Sequence, residues 1–561
     1  MHHNKQFASI FLTTLLCVIG ILLTSCTHTP PQEVYRSTVP DTDFHTLDPA
    51  QVSDSVSISA ISMIFTGLVQ LDDNHIPQAQ MAASYFRSPD GLTYTFYLKP
   101  GLHFSDGTPL TSHDVAYSID RALSPSVAKH SGISLTYLGL LRDAKARTRG
   151  KIPSLINDSI LTPNDSTVIL KVSKQTAYFP SALAYPTSYV VEKSVIDKWG
   201  AKWTDHLADN GGQGGAGPFK VKSYVPGQSF VLVPNPRYYG PKPQLQEINQ
   251  SFYSSPTSNY LAYQADQVDV TAIPPEQYPQ LQNNKELRQS DELAIEYIAM
   301  NYLIKPFDSI EIRQAFELAL DKDTIVNTVW KNEYKPTCHI VPHGMYGYNE
   351  HLQCPAGAST AGDGLKAKQL FNDGLREEGL TLATLPSLKI SYGSGSPDLE
   401  KEITAERQMW KDVLGIDVKA QALDGLSLFS AIFQSVNNPH GLQMWVASWS
   451  ADYPDPQDWL TLQFGDGPSY NAVNYGNNAS THAQQQKQVQ QAMDAADILT
   501  NSDARLHAYN QAEQQLVNDV AWLPLYQRRD FCLRKSYVMG FPTASATLPP
   551  NDWAKVSIAP H

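Results

Sequence analysis

Cysteine is scarce in this chain, and so are the spacings that usually mark chemistry. Only five cysteines occur in 561 residues, and no paired C-x-x-C is among them. There is no H-E-x-x-H helix for a metal, no G-K-[ST] phosphate loop and no G-x-S-x-G elbow. No metal and no cofactor is therefore expected, and no reaction is signalled. Basic runs are missing too. With a net charge of −13 and no stretch suited to neutralising phosphates, nucleic acid is not an expected partner. Beyond residue 24 no apolar run is long enough to span a bilayer.

The first residues carry what the rest lacks. His2, His3 and Lys5 precede an uncharged run from Phe7 to Thr24, dominated by Ile10, Phe11, Leu12, Leu15, Leu16, Val18, Ile19, Ile21, Leu22 and Leu23. A basic start followed by an apolar core is the layout of a secretory signal. The run is about 18 residues, near the lower limit for a membrane span, so an uncleaved anchor is the alternative. Leu23-Thr24-Ser25-Cys26 resembles the bacterial lipobox, in which the cysteine is acylated and becomes the new N-terminus. Residues 1–25 then form a signal peptide and 26–33 a lipidated tether, extended by Pro30 and Pro31. Several acyl chains, at about 0.8 kcal/mol per buried CH2, hold far longer than one. The mature part is expected outside the cytoplasm, tied to a lipid bilayer through Cys26.

Three cysteines remain after Cys17 and Cys26 are set aside. An oxidising compartment permits one bond among Cys338, Cys354 and Cys532. Cys338 and Cys354 close a short loop holding Pro342, Gly344 and Gly347, and are the expected pair; three separate thiols are the alternative. His339 and His343 are four apart, but Pro342 between them rules out a helix that would align them on a metal. Gly212-Gln213-Gly214-Gly215-Ala216-Gly217 matches the dinucleotide fingerprint. However, Pro218 and an alternating strand pattern from Phe219 to Tyr224 follow it, not a helix. A flexible turn into a strand is expected there.

Strand and helix patterns alternate without a repeat, which predicts an α/β chain of two or three domains. Tyr94 to Leu98 reads as a strand. Thr111 and Asp114 read as the capped start of a helix carrying Val115, Ile119 and Leu123. Ile312, Phe316, Ala319 and Leu320 mark another helix. Leu388 to Tyr392, a helix through Trp410 and Leu414, and a strand from Ile416 predict a βαβ unit with parallel strands.

Several blocks in order resemble the oligopeptide-binding proteins of ABC importers, the family 5 extracytoplasmic solute-binding proteins. They are Thr46-Leu47-Asp48-Pro49 with Gly67-Leu68; Leu92 to Gly101; Phe104-Ser105-Asp106-Gly107-Thr108-Pro109-Leu110-Thr111 with Asp114 to Ser118; Gly215 to Phe219; Ile312 to Phe316; Trp449 to Pro456; and Leu523 to Tyr526. The resemblance covers roughly residues 34 to 530. It implies a periplasmic-binding-protein-like, two-lobed clamp of type II with an additional third domain. Lobe I would be residues 34–57, 190–295 and 525–561, the additional domain 58–189, and lobe II 296–524. It further implies a monomeric, non-enzymatic receptor that hands an oligopeptide ligand to an ABC importer permease. Asp452 would bind the peptide's α-amino group, Trp449 would line the cleft beside it, and Asp43 would lie near the bound backbone. The peptide's carboxylate partner does not transfer from the family. Family members that take nickel chelates, opines or oligosaccharides define the alternative ligand, and a lipoprotein hydrolase the alternative class.

Overall fold

The computed structural model describes residues 33–39, 43–73, 75–130, 133–252, 255–466, 470–541 and 549–561. Cys26, the signal and residues 26–32 of the tether lie outside the described residues. Among those described, no helix is long and apolar enough to cross a membrane.

Three sheets organise the chain. One is antiparallel, in the order Ala82–Arg87, Thr93–Leu98, Thr167–Lys171, Ile160–Asn164. The Thr93–Leu98 strand alternates as its sequence predicts, with Tyr94, Phe96 and Leu98 buried. Asp106 accepts from Thr108 N at 2.8 Å, closing the turn that leads to the Ser112–Ala122 helix. Thr111 and Asp114 form a reciprocal capping box on that helix, and Val115 and Ile119 are fully buried against the sheet.

A second sheet joins Val34–Val39, in parallel, to Glu247–Phe252, which continues antiparallel into Ser229–Pro234 and Phe219–Val225. The glycine-rich segment enters this sheet and is not the flexible turn expected. Residues 212–218 are buried, because Gly217 N donates to Ile64 O at 2.7 Å and Ser105 N to Gly215 O at 2.9 Å.

The third sheet has seven strands. Its path is Val270–Ala272, Leu523–Arg534, Leu287–Met300, Met444–Ser450, Lys389–Gly393, Lys419–Leu423, with Lys335–Pro336 added beside Leu523–Arg534. The predicted βαβ unit is there: Lys389–Gly393 and Lys419–Leu423 run parallel, joined by the Pro397–Leu414 helix. Ser396 caps that helix, Pro397 opens it and Gly415 ends it at φ 74°. The second strand starts at Lys419, after an extended Ile416–Val418 that buries Val418 without joining the ladder.

Separate hydrophobic cores lie under these sheets. One fills the 82–171 unit and another the 219–252 sheet; two more cover the opposite faces of the large sheet. Together they make a two-lobed α/β fold. Cys338 and Cys354 are bonded, with Cα atoms 5.4 Å apart, and Cys532 is a free thiol. His339 and His343 sit in the disulfide loop and point to different partners: Tyr348 OH lies 3.0 Å from His339, and Asp291 lies 2.9 Å from His343. Among the described residues no group of three or more metal-ligating side chains is assembled.

Candidate functional site

The Met444–Ser450 strand has a free edge. All seven of its residues pair with Leu287–Met300, but on the other side Lys389–Gly393 meets only Met444 and Trp445. From Val446 to Ser450 the backbone groups on that side have no ladder partner among the described residues. An open strand edge is a template for another extended segment. The exposure pattern agrees, since Ser448 and Ser450 are exposed whereas Met444 to Val446 are buried.

The chain turns at the end of this strand and brings acidic side chains together. Asp452 and Asp458 flank the turn. Asp458, from the short Pro456–Trp459 helix, is fully buried and accepts from Trp449 Nε1 at 3.2 Å and from Asp452 N at 3.0 Å. The Asp452 carboxylate accepts from Tyr137 OH at 3.1 Å. Burial pushes Asp452 up to about 6, only partly offset by that hydrogen bond. Burial and the neighbouring Asp452 charge push Asp458 well above the usual carboxylate range. Asp455 is different: Arg505 grips it with two bonds of 2.6 and 2.8 Å. The arginine is thereby used up, and among the described residues no cation contacts Asp452 or Asp458.

Aromatic rings enclose the pair. Tyr137 stacks on Tyr185 at 3.5 Å, Tyr178 on Tyr453 at 5.4 Å, and Tyr470 meets Trp449 edge-on at 5.5 Å. Tyr137, Tyr178 and Tyr185 come from the unit built on the 82–171 sheet, so the site is assembled from two parts of the fold. Such rings supply apolar faces with polar tips, which suits a ligand with a charged end and a variable body. The arrangement can hold a buried ammonium group while an extended backbone lies along the strand edge.

Trp449 and Asp452 are thus brought together through Asp458. Asp43 is placed elsewhere. It accepts from Tyr224 OH and from Phe44 N, within the aromatic cluster of Phe44, Tyr224, Phe230 and Phe252, and shares no hydrogen bond with Trp449 or Asp452. The residues missed by sequence reading are Asp458 and the tyrosines. Asp458 repeats the three-residue spacing Asp452, Asp455, Asp458, which was the available signal. Tyr137 had none, since it meets Asp452 across 315 positions. A surface hollow of about 510 Å³, lined by Lys389, Lys419 and His440, is not this site. It opens at the Met444 end of the strand, about 20 Å from the Ser450 end at 3.3 Å per residue.

Comparison with known proteins adds to this geometry. Residues 77–471 match the model of the bacterial extracellular solute-binding proteins, family 5 middle. The chain is 26% identical over 506 residues to the oligopeptide-binding protein OppA of Bacillus subtilis, covering 89% of this chain and 88% of that protein. It is 26% identical over 522 residues to a probable deoxycholate-binding periplasmic protein, YgiS, of Escherichia coli, covering 91% of each. Among solved structures it resembles the unliganded open form of the periplasmic murein tripeptide-binding protein MppA. The TM-score is 0.77 and the identity 23%, with 95% of this chain and 98% of that one covered. Haemophilus influenzae OppA in complex with the peptide RPPGFSPFR gives 0.69 at 21% identity, covering 94% and 99%.

Proposed function

Since the chain belongs to the family 5 bacterial extracellular solute-binding proteins, we propose that it captures oligopeptides in its cleft and delivers them to an ABC importer permease. One observation carries this reading: the free edge of Val446–Ser450 ends at two carboxyl groups, Asp458 fully buried and Asp452 half-buried, that no cation among the described residues contacts. A peptide supplies both complements. Its backbone adds as a strand, using groups that every peptide shares, and its α-ammonium meets Asp452. Trp449 forms the wall beside the first residue. Asp43, held by Tyr224, braces the opposite lobe near the bound backbone. Micromolar affinity needs about −8 kcal/mol, within reach of backbone bonds and one desolvated ion pair.

Lobe I comprises residues 34–57, 190–295 and 525–561, the additional domain 58–189 and lobe II 296–524. Separate cores support three bodies, although Ala60 to Phe65 and Tyr189, assigned to the additional domain, pack in the core of lobe I. The boundaries at 295 and 525 fall inside the two long paired strands, Leu287–Met300 and Leu523–Arg534, which act as the hinge. Acylated Cys26 keeps this monomeric receptor beside its permease, outside the cytoplasm. It carries out no catalysis.

Native mass spectrometry with a tetrapeptide library tests the reading. The library should bind, and N-acetylation or Asp452→Ala should weaken binding roughly 10- to 100-fold, the value of a charge-assisted bond. Equal binding of acetylated and free peptides would remove the α-ammonium contact with Asp452, and binding of neither would move the ligand to a non-peptide solute.

A further inference from the structure

We infer that Asp458 is a positioning residue for ligand capture: it fixes the Asp452 main chain and the Trp449 ring and contributes the second carboxyl group of a pair that exchanges a proton for the ligand's ammonium. This rests on the peptide reading above.

Geometry carries it. Asp458 Oδ2 takes two hydrogen bonds, from Trp449 Nε1 at 3.2 Å and from Asp452 N at 3.0 Å. One oxygen therefore sets both the ring and the turn that aims Asp452. Asp458 Oδ1 has no partner, although the residue is fully buried. A buried carboxylate oxygen left unpaired costs far more than a surface one. The position of Asp458 is also fixed from behind. Asp455 caps the Pro456–Trp459 helix by accepting from Gln457 N at 3.0 Å, and Arg505 clamps Asp455.

The surroundings show what can compensate the pair. Around it stand Tyr137, Tyr178, Tyr185, Tyr453 and Tyr470, all pushed upward by burial and so neutral across the working range. Asp455 is neutralised by Arg505. Asp497 lies further back, where it accepts from Thr461 at 2.8 Å and from Tyr509. Lys174 lies near Asp497, and among the described residues no cation contacts Asp452 or Asp458. Without ligand the pair keeps one proton, since two neighbouring carboxyl groups, one fully and one partly buried, do not both ionise readily. When an ammonium settles against Asp452, its charge replaces that proton, which passes to bulk water. No covalent bond changes.

The test is calorimetric titration of the full-length protein with free-amine tri-alanine and tetra-alanine, in two buffers of different ionisation heat, from pH 5 to 7.5. Wild-type protein should release up to about one proton per peptide and bind more tightly as pH rises through the pair's titration. Asp458→Asn keeps an oxygen for Trp449 and Asp452 N but removes the charge. Its proton release should be confined to the acid end, where burial alone still protonates Asp452, whereas the wild type keeps releasing a proton toward pH 7.5. Asp458→Ala loses the acceptor as well and should bind about 10- to 100-fold more weakly. Melting temperatures of all three proteins separate these effects from misfolding. If the wild type binds peptide and Asp458→Asn releases as many protons with the same pH profile, the inference is overturned and the peptide reading stands. If the wild type binds neither peptide, the peptide reading falls and this inference falls with it.

Discussion

Glu513 is buried without a counter-charge, and its energetics follow from that. It projects from the Ser502–Asn518 helix and accepts from the backbone N–H groups of Ile340 and Val341, at 3.2 and 2.9 Å, inside the disulfide loop. Burial pushes it up to about 8. His339 stands 3.8 Å away but is itself pushed down to about 4 by burial, so it is neutral near pH 7. A carboxyl whose folded value is raised stabilises the fold while both states hold the proton. That stabilisation fades as pH climbs from the ordinary 4.5 through about 8, because the unfolded chain ionises first. Glu513→Gln keeps an acceptor oxygen and removes the titration. Its melting temperature should match the wild type's near pH 4.5 and exceed it by pH 8. Parallel melting curves across that range would show that Glu513 titrates as an ordinary carboxyl. Residue-scale detail of this kind was legible only where a motif carried it. Trp449 and Asp452 stand in a readable block. Asp458, Tyr137 and Glu513 act through contacts between distant segments, which one-dimensional spacing does not encode.

At the scale of elements, periodicity is a good guide to helices and strands and a poor one to glycine. The capped Ser112–Ala122 helix and the βαβ unit follow from side-chain patterns because burial is written in alternating apolar residues. Sheet order is not, since neighbours such as Leu287–Met300 and Leu523–Arg534 are remote in the chain. The 212–217 segment is the sharper case. Glycines carry no side chain to pattern, so a buried backbone crossing reads like a surface turn. A Cβ on Gly215 would lie 2.3 Å from Ile64 O, and one on Gly217 2.5 Å from Ile64 C. Both clashes are with backbone at the end of the Ser55–Ile64 helix, which no rotamer change relieves. Gly215→Ala and Gly217→Ala should each cost about 3 kcal/mol or more in urea unfolding, in the range of overpacked cores. Gly101→Ala is the control: its Cβ meets nothing within 4 Å, and only its φ of 69° is unfavourable. It should cost about 1 kcal/mol. Equal losses at all three sites would mean that backbone conformation, not the crossing with Ile64, sets the cost.

The molecule as a whole is joined along two features that must answer to each other. One is the pair of long strands, Leu287–Met300 and Leu523–Arg534, whose register is broken between Asp291 and Ile295. A break in the ladder is where a two-stranded connection bends most easily. The other is the aromatic seam, where Tyr178 stacks on Tyr453 with planes 2° apart and Ala177 N donates to Asp497 O at 3.2 Å. The clamp rotation proposed above would break or remake this seam, and the seam's strength would then set how often the cleft opens without ligand. A stacked aromatic pair contributes about 1 kcal/mol, which corresponds to roughly a fivefold change between seam-made and seam-broken populations. Tyr178→Ala should therefore enlarge the ligand-free radius of gyration in small-angle scattering, and saturating tetrapeptide should bring it back to the wild-type value. Peptide affinity should fall by no more than that same factor, because the ligand must restore the lost closure. An unchanged radius with an unchanged affinity would place the opening motion somewhere other than this seam.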